Sequence, residues 1–205
     1  VIVMIKRLFI VRTPLQLFNA FEAMQRFHQA DTQNELLVVY GSLRDHRMMQ
    51  QMLQTLQGWN RIVYQPFMGW KKKFYAFQLK KHFPDHSQYD DIFTGMIQHI
   101  PLHLMNSLNA KNYWLIDDGN ETRMIVEHLN QGTYYTKDRS QGLFGIRQNP
   151  EVLKKIQLFT LYDDLETTHP VTINDYRIFK QNARTLETKN GCDLVIGSNL
   201  VGTYL

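Results

Sequence analysis

Short apolar runs alternate with longer amphipathic segments along most of the chain. The runs are continuous rather than interleaved with polar residues, a pattern typical of strands that are buried on both faces. The predicted strands cover residues 8–11, 36–40, 61–64, 91–94 and 113–116. Apolar residues between the runs recur at helical spacing. The predicted helices cover about residues 14–28, 44–56, 72–82, 101–108 and 121–129.

This succession of elements predicts the fold class. Five strands separated by helices, with no hairpin signal between them, predict an α/β fold with a parallel sheet and helices on both faces. Ligands of such sheets bind at the carboxyl ends of the strands. We therefore expect a functional site among the residues that directly follow the predicted strands.

Polar residues and glycines occupy these positions after three of the strands. They lie in the segments Arg12-Thr13-Pro14-Leu15-Gln16 after the first strand, Gly95-Met96 after the fourth, and Asp117-Asp118-Gly119 after the fifth. A carboxylate at such an edge could act as a general base or help to hold a divalent cation. The two acids could equally cap the helix that begins near Glu121, and the residues leave these interpretations open.

The segment Thr13-Pro14 also permits two interpretations. Thr13 is a good N-cap, and Pro14 suits the first position of a helix. The free N–H groups of such a helix end could bind an anion or a sugar hydroxyl, with Gln16 adding a side-chain hydrogen bond. The alternative is a well-capped helix and nothing more.

The pattern changes after residue 129. Residues 130–150 predict a long loop, residues 157–162 a further strand and residues 175–184 a helix. Residues 193–199 resemble a buried strand that enters a Gly-Ser turn, which we interpret as the start of a second α/β unit. The predicted domains are a Rossmann-like domain over residues 1–150, a connecting segment over 151–192 and the start of a truncated second domain over 193–205.

Composition indicates the class of protein and the compartment in which it works. The chain has 205 residues, 43% hydrophobic content and a net charge of +4, which fits a folded domain that tolerates anionic partners without requiring them. The single cysteine, Cys192, excludes an internal disulfide framework and indicates a reducing compartment. No apolar run is long enough for a transmembrane helix, and the N-terminus lacks the features of a signal peptide. We therefore expect a cytoplasmic protein.

A basic and aromatic cluster over residues 70–75, WKKKFY, is followed by Lys80, Lys81 and His82. Such a helix could lie at a membrane interface or could simply expose a solvated face. The sequence has no Walker A motif, no G-x-G-x-x-G and no G-x-S-x-G, which argues against a kinase, a dehydrogenase or a serine hydrolase. His99 and His103 share a helix face without a third metal ligand, and His169-Pro170 has the polar flanks of a surface loop.

Two segments resemble a known enzyme family. Residues 8–16, LFIVRTPLQ, resemble the opening of the bacterial lipooligosaccharide sialyltransferases, glycosyltransferase family 52. Residues 115–120, LIDDGN, resemble the Asp-Asp-Gly segment of that family. Residues 159–162 and 195–198 match the family more weakly, the latter at the strand that opens its second domain.

This resemblance implies a two-domain GT-B enzyme with Rossmann-like units, of which this chain carries the N-terminal domain. Such an enzyme transfers sialic acid from CMP-sialic acid to a surface glycan, here lipooligosaccharide or capsule. One acid of Asp117 and Asp118 would be the general base, and Thr13, Pro14, Gln16, Gly95 and Gly119 would line the substrate site. Neither cofactor nor metal is implied, because cytidine monophosphate leaves with a single phosphate.

The resemblance also implies a His-Pro motif that binds the donor phosphate in the second domain. His169-Pro170 precedes that domain, so we do not assign the role to it. The implied partners are the nucleotide sugar and a glycan acceptor, with a peripheral contact to the inner membrane and no nucleic acid. On this view the 205 residues alone would be inactive.

Two other functions remain open. The chain could be a non-catalytic binding or assembly module of polysaccharide biosynthesis. It could also be a flavodoxin-like phosphotransfer domain in which Asp117 and Asp118 bind magnesium, and that function would require further acids at the same edge.

Overall fold

The structure is a computed structural model that describes residues 4–69, 74–132 and 149–181. Its strands are β1 (Ile5–Val11), β2 (Thr32–Tyr40), β3 (Arg61–Pro66), β4 (Gln88–Thr94), β5 (Asn109–Ile116), β6 (Ile156–Thr160) and β7 (Val171–Ile173). Its helices are α1 (Pro14–Arg26), α2 (Leu43–Thr55), α3 (Tyr75–His82), α4 (His99–Ser107), α5 (Glu121–Asn130) and α6 (Pro150–Lys154).

The strands form one seven-stranded sheet in the order β3-β2-β1-β4-β5-β6-β7. Every pair of neighbouring strands is parallel. The predicted α/β class, with its Rossmann-like parallel sheet, is therefore confirmed. All five strands predicted from the apolar runs are present, because continuous runs of this kind can be buried only between two helical layers.

Both faces of the sheet are covered. Leu8 and Ile10 of β1 lie in a hydrophobic cluster with side chains of α3, α4, α5 and α6. Phe9 and Val11 point to the opposite face, where they join a cluster with side chains of α1 and α2. These four residues are at most 1% exposed, as expected for a central strand whose side chains alternate between two packed layers.

The helix starts follow the capping rules that the sequence suggested. The Thr13 hydroxyl accepts a hydrogen bond from the Gln16 backbone N–H at 3.2 Å, and Pro14 occupies the first helical position of α1. Ser42 caps α2 in the same way through the Asp45 backbone N–H. Helix α1 therefore begins directly at the carboxyl end of β1.

The direction of the strand order reverses between β1 and β4. From β1 the sheet continues through β2 and β3 on one side, and from β4 through β5, β6 and β7 on the other. Helix α1 leaves β1 toward one face, whereas α4 leaves β4 toward the other. This arrangement opens a crevice between the carboxyl ends of β1 and β4, where doubly wound proteins bind their ligands.

The sheet continues beyond the predicted boundary at residue 150. Strands β6 and β7 lie within residues 151–192, which the sequence analysis assigned to a connecting segment, and both pair with the sheet. The chain divides after Asp175 into two compact units, and the sheet belongs to the first of them. The predicted strand over 193–199 and Cys192 lie outside the described residues.

The predicted helices agree with the structure apart from small shifts at their ends. Helix α3 starts at Tyr75, and Trp70 and the lysines at 71–73 are outside the described residues. Among the helices of the described part, none combines the length and apolar character needed to cross a bilayer.

Candidate functional site

The two acids at the end of β5 have different surroundings. Asp117 is fully buried, and both of its carboxylate oxygens accept hydrogen bonds. The Thr160 hydroxyl donates to Oδ1 at 2.5 Å, and the Leu161 backbone N–H donates to Oδ2 at 2.7 Å. Asp117 therefore ties the end of β5 to the end of β6, and its carboxylate is occupied by protein donors.

The backbone of Asp117 belongs to the same buried network. The Asn19 side chain of α1 donates to the Asp117 carbonyl at 3.0 Å, and Asn174 donates to the Asn19 side chain at 3.1 Å. Asn19 and Asn174 are nearly or completely buried. These polar groups join α1, β5 and the segment after β7, and they hold the edge of the sheet in one geometry.

Asp118 is half-buried, and its carboxylate is hydrogen-bonded more weakly than that of Asp117. The Thr13 hydroxyl donates to Asp118 Oδ1 at 3.4 Å. The Gln16 amide also lies close enough to lower the pKa of Asp118, although Gln16 Nε2 makes no hydrogen bond of ordinary length and angle. Asp118 is thus the acid of the pair with carboxylate capacity left for a ligand.

Burial raises the pKa of both acids. Loss of water contact raises the pKa of Asp117 above its ordinary value, against the lowering effect of its bonds to Thr160 and Leu161. Burial likewise raises the pKa of Asp118, and the charge of Glu121 adds to the rise. The nearby Gln16 amide, the Thr13 hydroxyl and the Arg12 charge lower this pKa.

The two acids do not cap helix α5 with their side chains. The N-cap of α5 is Asn120, and no side chain caps this helix. The Asp118 backbone N–H instead donates to the Thr122 hydroxyl at 2.9 Å, which closes a turn around Gly119. Gly119 has φ +62°, a left-handed conformation that favours glycine, so it serves the turn that presents Asp118.

Gly95 is buried against Gln16 rather than open to a ligand. A Cβ atom at this position would lie 2.4 Å from Gln16 Cγ and 2.5 Å from Gln16 Cδ. The sequence analysis placed Gly95 in the substrate site. In the structure, its lack of a side chain lets Gln16 pass between α1 and the end of β4.

The structure brings most of the predicted site residues together. Thr13 and Gln16 lie beside Asp118, Gly119 shapes its turn, and Gly95 packs on Gln16. Pro14 occupies the first turn of α1, directly after the N-cap Thr13. These observations describe the placement of the residues, and their roles in substrate binding stay predictions.

Sequence reasoning missed several residues of this edge. Asn19, Thr160 and Asn174 stabilise the position of Asp117, and a polar residue on the apolar face of α1 was the available signal for Asn19. Arg12 and Met96, which the sequence placed at this edge, line the crevice between β1 and β4 together with Phe67, Gln98 and His99, which it did not place there. Phe67 and Met96 come from loops whose meeting with Arg12 is a property of the fold alone.

Metal ligands do not gather within residues 4–69, 74–132 and 149–181. No three His, Cys, Asp or Glu side chains in these ranges lie together in a way that could hold a metal ion. His99 contacts Phe67, whereas His103 contacts Tyr75. The further acids that a magnesium-binding phosphotransfer domain would need at this edge are absent from these ranges as well.

His169 lies in the loop before β7 and is half-buried. Its Nδ1 atom is 2.8 Å from the Ile156 carbonyl, and its backbone N–H donates to the Thr167 hydroxyl. These contacts hold the loop against the start of β6. The side chain therefore has a local structural role at the opposite end of the strand from Asp117.

Comparison of the sequence with protein-family models and with curated proteins found no significant match. The family resemblance of residues 8–16 and 115–120 therefore remains a prediction.

Proposed function

We propose that this chain is the acceptor-side domain of an inverting glycosyltransferase in which Asp118 is the general base. The observation that carries the proposal is the half-buried Asp118 carboxylate at the carboxyl edge of a parallel sheet, beside the Thr13 hydroxyl and with its pKa raised by burial. A carboxylate with a raised pKa accepts a proton more readily than an ordinary one near neutral pH.

The proposed reaction is a single displacement. Asp118 takes the proton of an acceptor hydroxyl as that oxygen attacks the anomeric carbon of the donor sugar. The bond between this carbon and the phosphate oxygen breaks, and the nucleotide leaves with the bonding electrons. Asp117 is a positioning residue in this scheme, because its bonds to Thr160 and Leu161 set where the β5 edge presents Asp118.

The identity of the substrates rests on the resemblance of the two segments. It supports CMP-sialic acid as the donor and a bacterial lipooligosaccharide or capsule glycan as the acceptor, with the donor held by a second domain. Helix α3 supports a peripheral membrane contact at the cytoplasmic face. Phe77 is 67% exposed there, and Lys81 lies 5.4 Å from its ring.

The experiment compares variants of the full-length protein in transfer from CMP-sialic acid to a glycan acceptor. We expect Asp118→Asn to lower kcat by about a hundredfold or more without lowering the melting temperature, since the base is lost and few contacts are. Glu121→Gln, which removes a neighbouring carboxylate, is the matched control and should retain transfer. The proposal fails if Asp118→Asn turns over like the wild type.

The same assay addresses the binding-module alternative. A wild-type protein that binds the glycan acceptor but transfers no sugar from any nucleotide donor would favour that alternative. Magnesium binding detected by calorimetry would favour the phosphotransfer alternative instead.

A further inference from the structure

The crevice between the ends of β1 and β4 has a composition that differs from the site around the two acids. It is a narrow cleft that is partly open to solvent. Its walls are apolar side chains of β1, β2 and α4, namely Ile10, Val39, Ile100 and Pro101. Arg12, Gln16, Gln98 and His99 bring polar groups to this apolar space.

Arg12 lies in this crevice without a carboxylate partner among the described residues. Its guanidinium carbon is 5.5 Å from the centre of the Phe67 ring, and Nη1 lies 3.9 Å from the Met96 sulfur. A ring face and a thioether orient the guanidinium but satisfy few of its five N–H donors. A half-buried arginine of this kind has hydrogen bonds left to donate to an anion.

A second donor faces the same space. Gln16 is 0% exposed, and its Oε1 atom accepts from the Arg12 backbone N–H at 2.7 Å. Its Nε2 atom lies near Asp118 but makes no hydrogen bond of ordinary length and angle. A buried donor without a well-formed hydrogen bond lowers stability, and an acceptor supplied by a ligand would remove that penalty.

The electrostatic field at the start of helix α4 also favours an anion. Gln98 is the N-cap of this helix and makes no side-chain cap hydrogen bond. The N-terminal end of a helix carries a partial positive charge, which favours an anion near its first turn. Arg12, the Gln16 amide and this helix end therefore favour the same kind of ligand.

We propose that this crevice binds a single carboxylate or phosphate group, with Arg12 as its principal ligand. A charged group that bonds the Arg12 guanidinium would also bring an acceptor to the Gln16 amide. The limited space suits one anionic group better than a whole sugar ring. The anion would lie next to the Asp118 edge, since Gln16 and Arg12 both influence that carboxylate.

This inference deepens the proposed function by assigning a class of acceptor. If Asp118 activates an acceptor hydroxyl, an anionic group on the same glycan could be held by Arg12. That step rests on the proposed function, whereas the anion site rests only on the contacts of the crevice. Binding of an anion can therefore be measured without any transfer reaction.

The test is a titration of the protein with inorganic phosphate, followed by NMR of the Arg12 and Gln16 side-chain N–H signals and by calorimetry. We expect saturable shifts of both signals, with a dissociation constant of about 10 mM or lower. Arg12→Gln should weaken binding by about tenfold or more, because the charged donor pair is lost. Arg26→Gln removes an exposed arginine in the last turn of α1 and should bind like the wild type.

Two results would overturn the anion site. One is the absence of saturable binding by the wild-type protein. The other is equal binding by the wild-type protein and by Arg12→Gln, with circular dichroism showing that the variant is folded. Loss of binding in Arg12→Gln alone, with Arg26→Gln unaffected, would support it.

Competing ligands distinguish the source of the anion. Two charged sugars, methyl glucuronide and glucose 6-phosphate, are titrated. Their binding is compared with that of methyl glucoside, which has no charge, and with that of phosphate. Tighter binding of the charged sugars than of phosphate would assign the anion to the acceptor. Equal binding of phosphate and the charged sugars would support a site for the free anion. Equal binding of the neutral and charged sugars would contradict an anion site.

Discussion

At the scale of the residue, neighbours rather than sequence position decide what each acid can do. Asp117 and Asp118 are adjacent in the chain, yet the first meets donors from β6 and the second meets the start of α1. The carboxylate of Asp117 is a structural acceptor. Asp118 retains capacity for a ligand, and its raised pKa makes its charge state responsive to pH.

Replacement of Asp117 should affect the stability of the fold more directly than it affects the reaction. In Asp117→Asn, one of the two donors, Thr160 Oγ1 or Leu161 N–H, would face an NH₂ group instead of an oxygen. We expect the free energy of unfolding to fall by about 1–3 kcal/mol, measured by urea denaturation. Asp118→Asn should change it less, so equal losses in the two variants would contradict the assigned roles.

The raised pKa of Asp118 also predicts how stability depends on pH. A group whose pKa is higher in the folded than in the unfolded protein binds its proton more tightly when folded. Its favourable contribution is therefore complete below the unfolded pKa of about 3.9 and is lost as pH rises through the folded value. Asp118→Asn lacks this titration and should gain stability relative to the wild type over that range.

Urea denaturation of both proteins at a series of pH values from about 4 upward checks this prediction. A wild-type protein that becomes more stable relative to Asp118→Asn as pH rises would show that the fold favours the charged carboxylate. Comparison of the two proteins at each pH removes the contributions of other acids, such as Asp164, whose pKa is lowered by Arg123.

At the scale of the element, the start of α1 and the end of β4 interlock through Gln16 and Gly95. The Gln16 side chain is fully buried and passes where a Cβ of residue 95 would lie. It bonds the Arg12 backbone N–H with Oε1 and lies beside Asp118 with its amide. One close contact between two elements thus positions groups of both the acid site and the crevice.

Gly95→Ala should disturb this contact. The new methyl group would lie 2.4 Å from Gln16 Cγ, so the buried side chain or the backbone must move. We expect the free energy of unfolding to fall by about 1–3 kcal/mol and the Gln16 side-chain amide signal to shift in NMR. Gly41→Ala is the control, since nothing lies within 4 Å of its Cβ position. Similar melting temperatures of the two variants would count against the interlock.

At the scale of the whole molecule, charged groups have different roles at the two ends of the parallel strands. Arg7 and Asp91 form a buried ion pair of 3.0 Å between β1 and β4, in the middle of the sheet. Asn112 and the Trp114 indole N–H donate to the other oxygen of Asp91, and Arg7 also donates to the Phe27 carbonyl. Both oxygens of Asp91 are thus occupied by protein donors, as those of Asp117 are, whereas Asp118 at the carboxyl edge retains capacity for a ligand.

Removal of one partner of this ion pair should therefore weaken the fold. Asp91→Ala leaves the Arg7 guanidinium buried without its carboxylate, and we expect a loss of about 3–5 kcal/mol in urea denaturation. Asp164→Ala removes one partner of an exposed pair with Arg123, which solvent screens, and should lower stability far less. Comparable losses would contradict the distinction between the buried and the exposed pair.

The sequence by itself determined the order of the elements, the parallel sheet and the edge at which polar residues follow the strands. These properties depend on local periodicity and capping. The continuous apolar run from Leu8 to Val11 must be buried on both faces, and Thr13 and Pro14 favour a helix start through local contacts alone. The extension of the sheet by β7 was not predicted, because its short and partly exposed run lacks an apolar pattern.

Only the tertiary structure decided which acid is occupied and which is available. Burial and hydrogen bonding depend on segments that are distant in the sequence, as for Asn19 and Asp117 or Thr160 and Asp117. The sequence placed Arg12 and Met96 at this edge but did not predict the crevice, because Phe67 and Met96 meet the Arg12 side chain only after β1, β3 and β4 have taken their places in the sheet.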